Sequence, residues 1–222
     1  MKTWTYWRIL LGVLLLGVVV SCGRAATEVP AKPADEKKQA APRGKESWAK
    51  RIVRKGCRNL HQVDDNLYRG AQPTVEGFHE LKKLGIKTVV NLRRGNTDRQ
   101  GIKETKLAYV QIPTKHYDAT AEELILFLKI ATDEKHTPVF VHCRSGANRT
   151  GMMVAIYRVA VNGWTKQEAL KEMREGGYNS YGGGKAFDEY MKRLNVKALR
   201  RKAGLDKEEK EKDEKKEVEG KQ

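Results

Sequence analysis

Residues 138–151, PVFVHCRSGANRTG, constrain the chain more than any other stretch. Val139, Phe140 and Val141 form a continuously apolar run, as in a strand buried on both faces, and Pro138 is tolerated only at the start of such a strand. From Thr150 to Asn162 the sequence is apolar almost all round, which predicts a central buried helix. The short loop between them directs several backbone N–H groups into one hollow, over the positive end of the helix dipole, and such a hollow suits a phosphate. Gly146 and Ala147 leave the backbone room to curl. Cys143 opens the loop, where the same positive field favours a thiolate. Arg149 closes it with a planar fork able to hold two phosphate oxygens. Thr150 is placed to donate a hydrogen bond to the sulfur.

The surrounding sequence supplies alternating elements. Residues 66–69 read as a short strand, turned by Gly70-Ala71-Gln72-Pro73. Val75, Phe78, Leu81 and Leu84 recur at helical spacing, and Gly85 ends that helix. Residues 87–92 and 107–112 read as strands. Residues 121–131 read as a helix capped by Thr120, with Glu123 three positions on in the capping-box pattern. Further helices are predicted at 166–175 and 184–194. Strands interleaved with helices imply an α/β fold, a single layered domain with a largely parallel central sheet flanked by helices.

The spacing His-Cys-x5-Arg-Thr, with His142, Cys143, Gly146, Arg149 and Thr150 all present, resembles the signature loop of the cysteine-based protein tyrosine phosphatase superfamily. NLYRGAQP before a helix, then GIKTVVNLR and YVQIPT, are similar to its compact dual-specificity-like branch, so the likeness spans residues 66–194. The resemblance implies a phosphomonoester hydrolase that needs no metal and no cofactor. Cys143 would attack phosphorus in line to give a phosphocysteine, which water then hydrolyses. Arg149 and the loop residues Arg144, Ser145, Gly146, Ala147 and Asn148 would bind the phosphoryl oxygens, and Thr150 would support the sulfur as leaving group. Relatives draw the general acid from the loop after the strand that precedes the signature strand, here residues 114–119. Asp118 is the natural candidate there, with helix capping as its other reading; Asp98 comes next and His116 third. Arg93 and Arg94, at a strand's C-terminal end, either frame the pocket or are solvated charge. His142 reads as a partner that orders the loop, and Tyr178 and Tyr181 either rim the cleft or pack in a loop.

The ends of the chain carry a separate message. Lys2 and Arg8 precede an unbroken apolar run at 9–20, too short to span a bilayer but suited to a secretory signal. Val19-Val20-Ser21-Cys22 resembles a bacterial lipobox, which implies cleavage at 21, acylation of Cys22, and export to the cell envelope, at the outer membrane if the source is diderm. Residues 22–47 read as a flexible tether, 48–200 as the phosphatase domain and 201–222 as a charged tail. The net charge is +16; removing Lys2 and Arg8, with no acidic residue before Cys22, lowers it by 2 to +14. Such a field draws anionic lipid, polyanions or phosphorylated substrates, and the absence of a recognition motif argues against nucleic acid. The expected partners are thus a phosphoprotein or small phosphate ester, and a membrane through the lipid anchor. Cys57 is either a lone buried thiol or the partner of Cys143 in a disulfide. Two other functions stay open: an inositol-phosphate or phospholipid-headgroup phosphatase, and a non-catalytic phosphate-binding module.

Overall fold

The computed structural model describes residues 44–95, 98–178 and 184–206. The expected signal, Cys22, most of the tether, Tyr181 and the tail from 207 onward lie outside the described residues. In chain order the elements are β1 (Lys50–Arg51), β2 (His61–Gln62), β3 (Leu67–Gly70), α1 (Val75–Lys83), β4 (Thr88–Asn91), α2 (Arg99–Ile102) and β5 (Ala108–Gln111). Then come α3 (Ala121–Thr132), β6 (Val139–His142), α4 (Asn148–Ala160), α5 (Lys166–Glu175), α6 (Gly184–Arg193) and α7 (Val196–Ala203). The sheet order is β1-β2-β3-β6-β4-β5. β3, β6, β4 and β5 run parallel, and β1 and β2 extend the sheet antiparallel beyond β3. This is the α/β layered, mainly parallel architecture expected from the sequence.

Local chemistry fixes the helix ends. The Thr74 side chain accepts from Gly77 N, and α1 stops just before Gly85, whose φ of +90° suits a residue without Cβ. Thr120–Glu123 and Thr165–Glu168 both form complete capping boxes. The strand period then builds two cores. Val90, Val139 and Val141 face the cluster formed with α3, α4, α5 and the later helices, while Val89 and Phe140 face Phe78, Leu81 and Ile86 on the α1 side. Helix α4 is buried along nearly its whole length. β6 is therefore covered on both faces, and its C-terminal end is the best-fixed place in the domain to mount a loop.

Four elements are not predicted from the sequence. β1 and β2 are two residues each, too short for alternation to register, and α2 is a single turn. α7 hides its apolar Leu199 and Ala203 among four Lys and Arg residues, yet both are buried against the main core. Cys57 settles its open reading: it is a free, buried thiol on the α1 side, donating to Gly77 O at 3.2 Å. Cys143 belongs to the opposite core and is also free, so the two are separated by the sheet and form no disulfide.

Candidate active site

β6 delivers the loop with its side chains in phase. Val139, Val141 and Cys143 share one face, and Phe140 and His142 share the other, where their rings stack at 5.7 Å. The curl that follows depends on Gly146. Its φ is +73°, and a Cβ there would lie 2.4 Å from the carbonyl of Gly70 at the end of β3. Arg144 O accepts from Gln72 N at 3.3 Å, which ties the loop to the turn after β3. Helix α4 starts at Asn148, directly beneath the curl. Arg144 and Ser145 are exposed, Ala147 is buried, and Asn148 and Arg149 are half-buried.

Cys143 is 2% exposed. Burial pushes its pKa up, but the Thr150 hydroxyl, the backbone N–H groups of Thr150 and Gly146, and the Arg149 charge together bring it below the ordinary thiol value. The buried Thr150 hydroxyl makes no hydrogen bond among the described residues, so it is available to turn to the sulfur. Arg149 donates through Nη1 to Leu92 O at 3.3 Å, while its buried Nε has no protein partner. The guanidinium is thus anchored at one edge, with a donor left over for an anion.

Behind the loop lies a polar network that the sequence does not reveal. His142 Nδ1 is 3.0 Å from Cys143 O, and its Nε2 is 3.1 Å from Asp98 Oδ2. Both ring nitrogens thus face oxygens, the Nε2 contact with Asp98 being one of ion-pair distance without hydrogen-bond geometry. Asp98 is fully buried; Gln72 Nε2 donates to its Oδ1 at 2.6 Å and Asn91 Nδ2 donates to its Oδ2. Asp98, the second candidate for the general acid, thus sits buried behind the loop, held by Gln72 and Asn91 and placed beside His142. Arg93 donates to Gln72 Oε1 and so joins this network, while Arg94 is exposed.

A second buried support lies under Gly146. Arg69, fully buried, donates from Nη2 to Gly146 O at 2.8 Å and stacks 3.8 Å over the Tyr178 ring. Burial lowers its pKa to about 10, so it stays cationic at neutral pH. Tyr178 is therefore inside the domain rather than on the rim, and its hydroxyl donates to Glu172 Oε1 at 3.1 Å. Only the β-strand position of Arg69 in LYRGAQP hinted at this role.

The turn at residues 115–118, bridged between Lys115 and Asp118, carries the remaining acid candidates. His116 is exposed; partial burial lowers its pKa and the Arg149 charge lowers it further, so it lies within electrostatic reach of the loop. Asp118 is exposed on the side of a groove lined by Tyr190 and Arg193, and its charge raises the Tyr190 pKa. Among the described residues, no group of three His, Cys, Asp or Glu could hold a metal ion.

A buried strand, an amide-lined curl, a thiol held below its usual pKa and a half-anchored guanidinium define a cysteine-dependent phosphatase loop. The family model described as DSP-PTPase phosphatase fused to NAD+ kinase matches residues 49–193, and the chain belongs to this family of cysteine-based phosphatases. The dual specificity protein phosphatase TpbA of Pseudomonas aeruginosa (strain UCBPP-PA14) is 35% identical over 163 residues, 72% of each chain. The crystal structure of a cysteine-to-serine variant of P. aeruginosa TpbA in complex with phosphotyrosine aligns with a TM-score of 0.63 and 30% identity, covering 71% of this chain and 96% of that one. Inositol diphosphatase DSP3 of Arabidopsis thaliana is 27% identical over 125 residues, 53% of this chain and 61% of that protein. The protein is a cysteine-based phosphatase acting on phosphomonoesters.

Proposed function

We propose that this phosphatase hydrolyses aryl phosphate esters of the phosphotyrosine type in the cell envelope. The observation that carries this reading is the Cys143 thiol, held below its ordinary pKa by Thr150, the loop amides and Arg149. In this reading Cys143 displaces the leaving oxygen from phosphorus in line, and the P–O bond breaks as the S–P bond forms. Arg149 and the amides of residues 144–149 hold the equatorial oxygens. Water then attacks the phosphocysteine, and Thr150 stabilises the departing thiolate. The turn at 115–118 supplies the proton for the leaving oxygen, with Asp118 as donor and His116 as the neighbour that senses Arg149.

The phosphotyrosine complex of the Pseudomonas protein supports the substrate class. The full-length chain should release phosphate from p-nitrophenyl phosphate, and Cys143→Ser should abolish this. Wild-type-like turnover by that variant would sink the reading. Asp118→Asn should slow esters with poor leaving groups far more than nitrophenyl esters; if His116→Ala does so instead, the donor is the histidine. A phosphotyrosine peptide preferred over inositol phosphates places the substrate among proteins, and the reverse order brings the inositol reading forward.

The apolar run at 9–20 and the Val19-Val20-Ser21-Cys22 pattern support export and acylation of Cys22. Two lipid signals hold a protein stably at a bilayer where one does not, so a diacylated Cys22 would suffice. Labelled palmitate should enter the wild-type chain and not Cys22→Ala, and the variant should leave the membrane fraction. Equal labelling of both removes the anchor.

A further inference from the structure

Beside the signature loop is a cavity of about 390 Å3 that the catalytic reading leaves unused. Its walls include Arg51, Arg58, Asn59, His61 and Ser145. Ser145 belongs to the signature loop itself, so the cavity shares a wall with the phosphate site. No acidic residue lines it. Arg51 and Arg58 are exposed and make no ion pair or side-chain hydrogen bond among the described residues. Two arginines thus line one hollow with no acidic residue among its walls, so an anion entering it meets positive charge from both.

The wall is built rather than incidental. Asn59 is held at φ +55°, a conformation unusual for a residue with Cβ. Its side-chain amide fixes that conformation by donating to Ser145 O and Tyr178 O, each at 3.0 Å. His61, 5% exposed, has Nδ1 3.0 Å from Asn59 O and sits edge-on to Tyr178 at 4.7 Å. Through Ser145 O, Asn59 in the cavity wall is therefore tied directly to the catalytic loop. Its volume falls in the range of small-ligand sites and exceeds what a lone water cluster requires.

We propose that this cavity is a second anion subsite, in which Arg51 and Arg58 bind a further phosphate or carboxylate group of the substrate while the scissile phosphate occupies the Cys143 loop. The proposal rests on the phosphatase reading and deepens it, because it selects substrates that carry two anionic groups close together. The second anion undergoes no reaction; it orients the first. Its chemical source is either a second phosphate or an acidic side chain, and both present the oxygens that a guanidinium fork accepts.

The test compares kcat/KM of the full-length chain for a phosphotyrosine peptide with neutral flanks, the same peptide with glutamates beside the phosphotyrosine, and one with an adjacent phosphothreonine. The selectivity of the wild type for the two-anion peptides over the neutral one should fall at least about 10-fold in Arg51→Ala/Arg58→Ala, since a tenfold change corresponds to about 1.4 kcal/mol, within reach of one charge-assisted contact. The loss should appear mainly in KM, and Arg51→Lys/Arg58→Lys should restore part of it. A larger effect on the phosphothreonine peptide than on the glutamate peptide assigns the subsite to phosphate, and the opposite order assigns it to carboxylate. No wild-type preference for two anions, or a preference untouched by the double variant, overturns the subsite while leaving the phosphatase reading intact. Should the wild type turn over no peptide, the phosphotyrosine reading fails on its own; the subsite is then read from calorimetric binding of the same peptides to Cys143→Ser with and without the two arginines.

Discussion

Cys143 is acidified against its own burial, so the groups that offset burial are individually exposed to test. Thr150 is the strongest of them after burial itself. In Thr150→Ala the thiol pKa should rise, and the pH midpoint of iodoacetamide alkylation should move upward from its wild-type position. One charge-assisted hydrogen bond to the departing thiolate corresponds to about a 10-fold loss of kcat, expressed in dephosphorylation of the enzyme. An unmoved alkylation profile would leave Thr150 as packing only. Asp98 acts one residue further back, through His142. Replacing it with Asn turns one acceptor oxygen into an amide donor that faces Gln72 Nε2 or Asn91 Nδ2 at a fully buried site. Leaving a buried donor without its acceptor costs about 1–3 kcal/mol, so the urea midpoint of Asp98→Asn should fall accordingly. His142 and Cys143 were legible because they are neighbours in a motif with fixed spacing. Asp98 was not: its role exists only because the residue just before α2 lies beside His142 at the end of β6, a proximity that no local pattern encodes.

At the scale of elements, the loop stands on a chain of buried charges that joins α4, α5 and the segment before β1. Arg158 on α4 donates to both oxygens of Glu172 on α5, at 2.9 and 2.8 Å, and stacks 4.2 Å over Trp164. Glu172 also accepts from Ala49 N at 2.7 Å and from the Tyr178 hydroxyl, and Tyr178 carries Arg69 beneath Gly146. Glu172→Ala should therefore cost about 3–5 kcal/mol, because it leaves Arg158 buried without a counter-charge. Joint replacement by Arg158→Met and Glu172→Leu should recover most of that loss, as apolar pairs of similar volume often do. If the double variant is as unstable as the single one, the hydrogen bonds to Ala49 and Tyr178 matter more than the charge pair. The helices around this chain were legible from apolar period and capping boxes, and the parallel strands from β-branched runs. Glu172 itself reads as one more charge in KQEALKEMRE, because periodicity marks a buried face only by its apolar members. For the same reason α7 escaped notice: two buried residues among lysines and arginines leave a weak stripe.

For the molecule as a whole, the buried titratable groups set opposing slopes of stability against pH. On the acid side, burial lowers the His61 pKa below its ordinary 6.5. As pH falls below that value the unfolded chain binds the proton first, so stability drops until the folded ring also becomes charged. On the alkaline side, burial and the Glu80 charge raise the Cys57 pKa from 9.0 to about 11. Between those values the unfolded chain has lost a proton that the folded chain retains, so stability falls as pH rises through the window. Two pKa units correspond to roughly 2.7 kcal/mol. Cys143 slopes the other way: its lowered pKa contributes stability that is present above the ordinary thiol value and lost as pH falls through the folded one. The alkaline fall therefore belongs to Cys57 first, joined higher up by Tyr190, whose hydroxyl burial raises to about 12. Urea midpoints measured from pH 8 to 11 should decline for the wild type, and Cys57→Ala should flatten the decline between 9 and 11 even if it lowers stability throughout through lost packing. An unchanged slope in that variant would move the alkaline weakness to the buried tyrosines, with Tyr190→Phe as the next profile to compare.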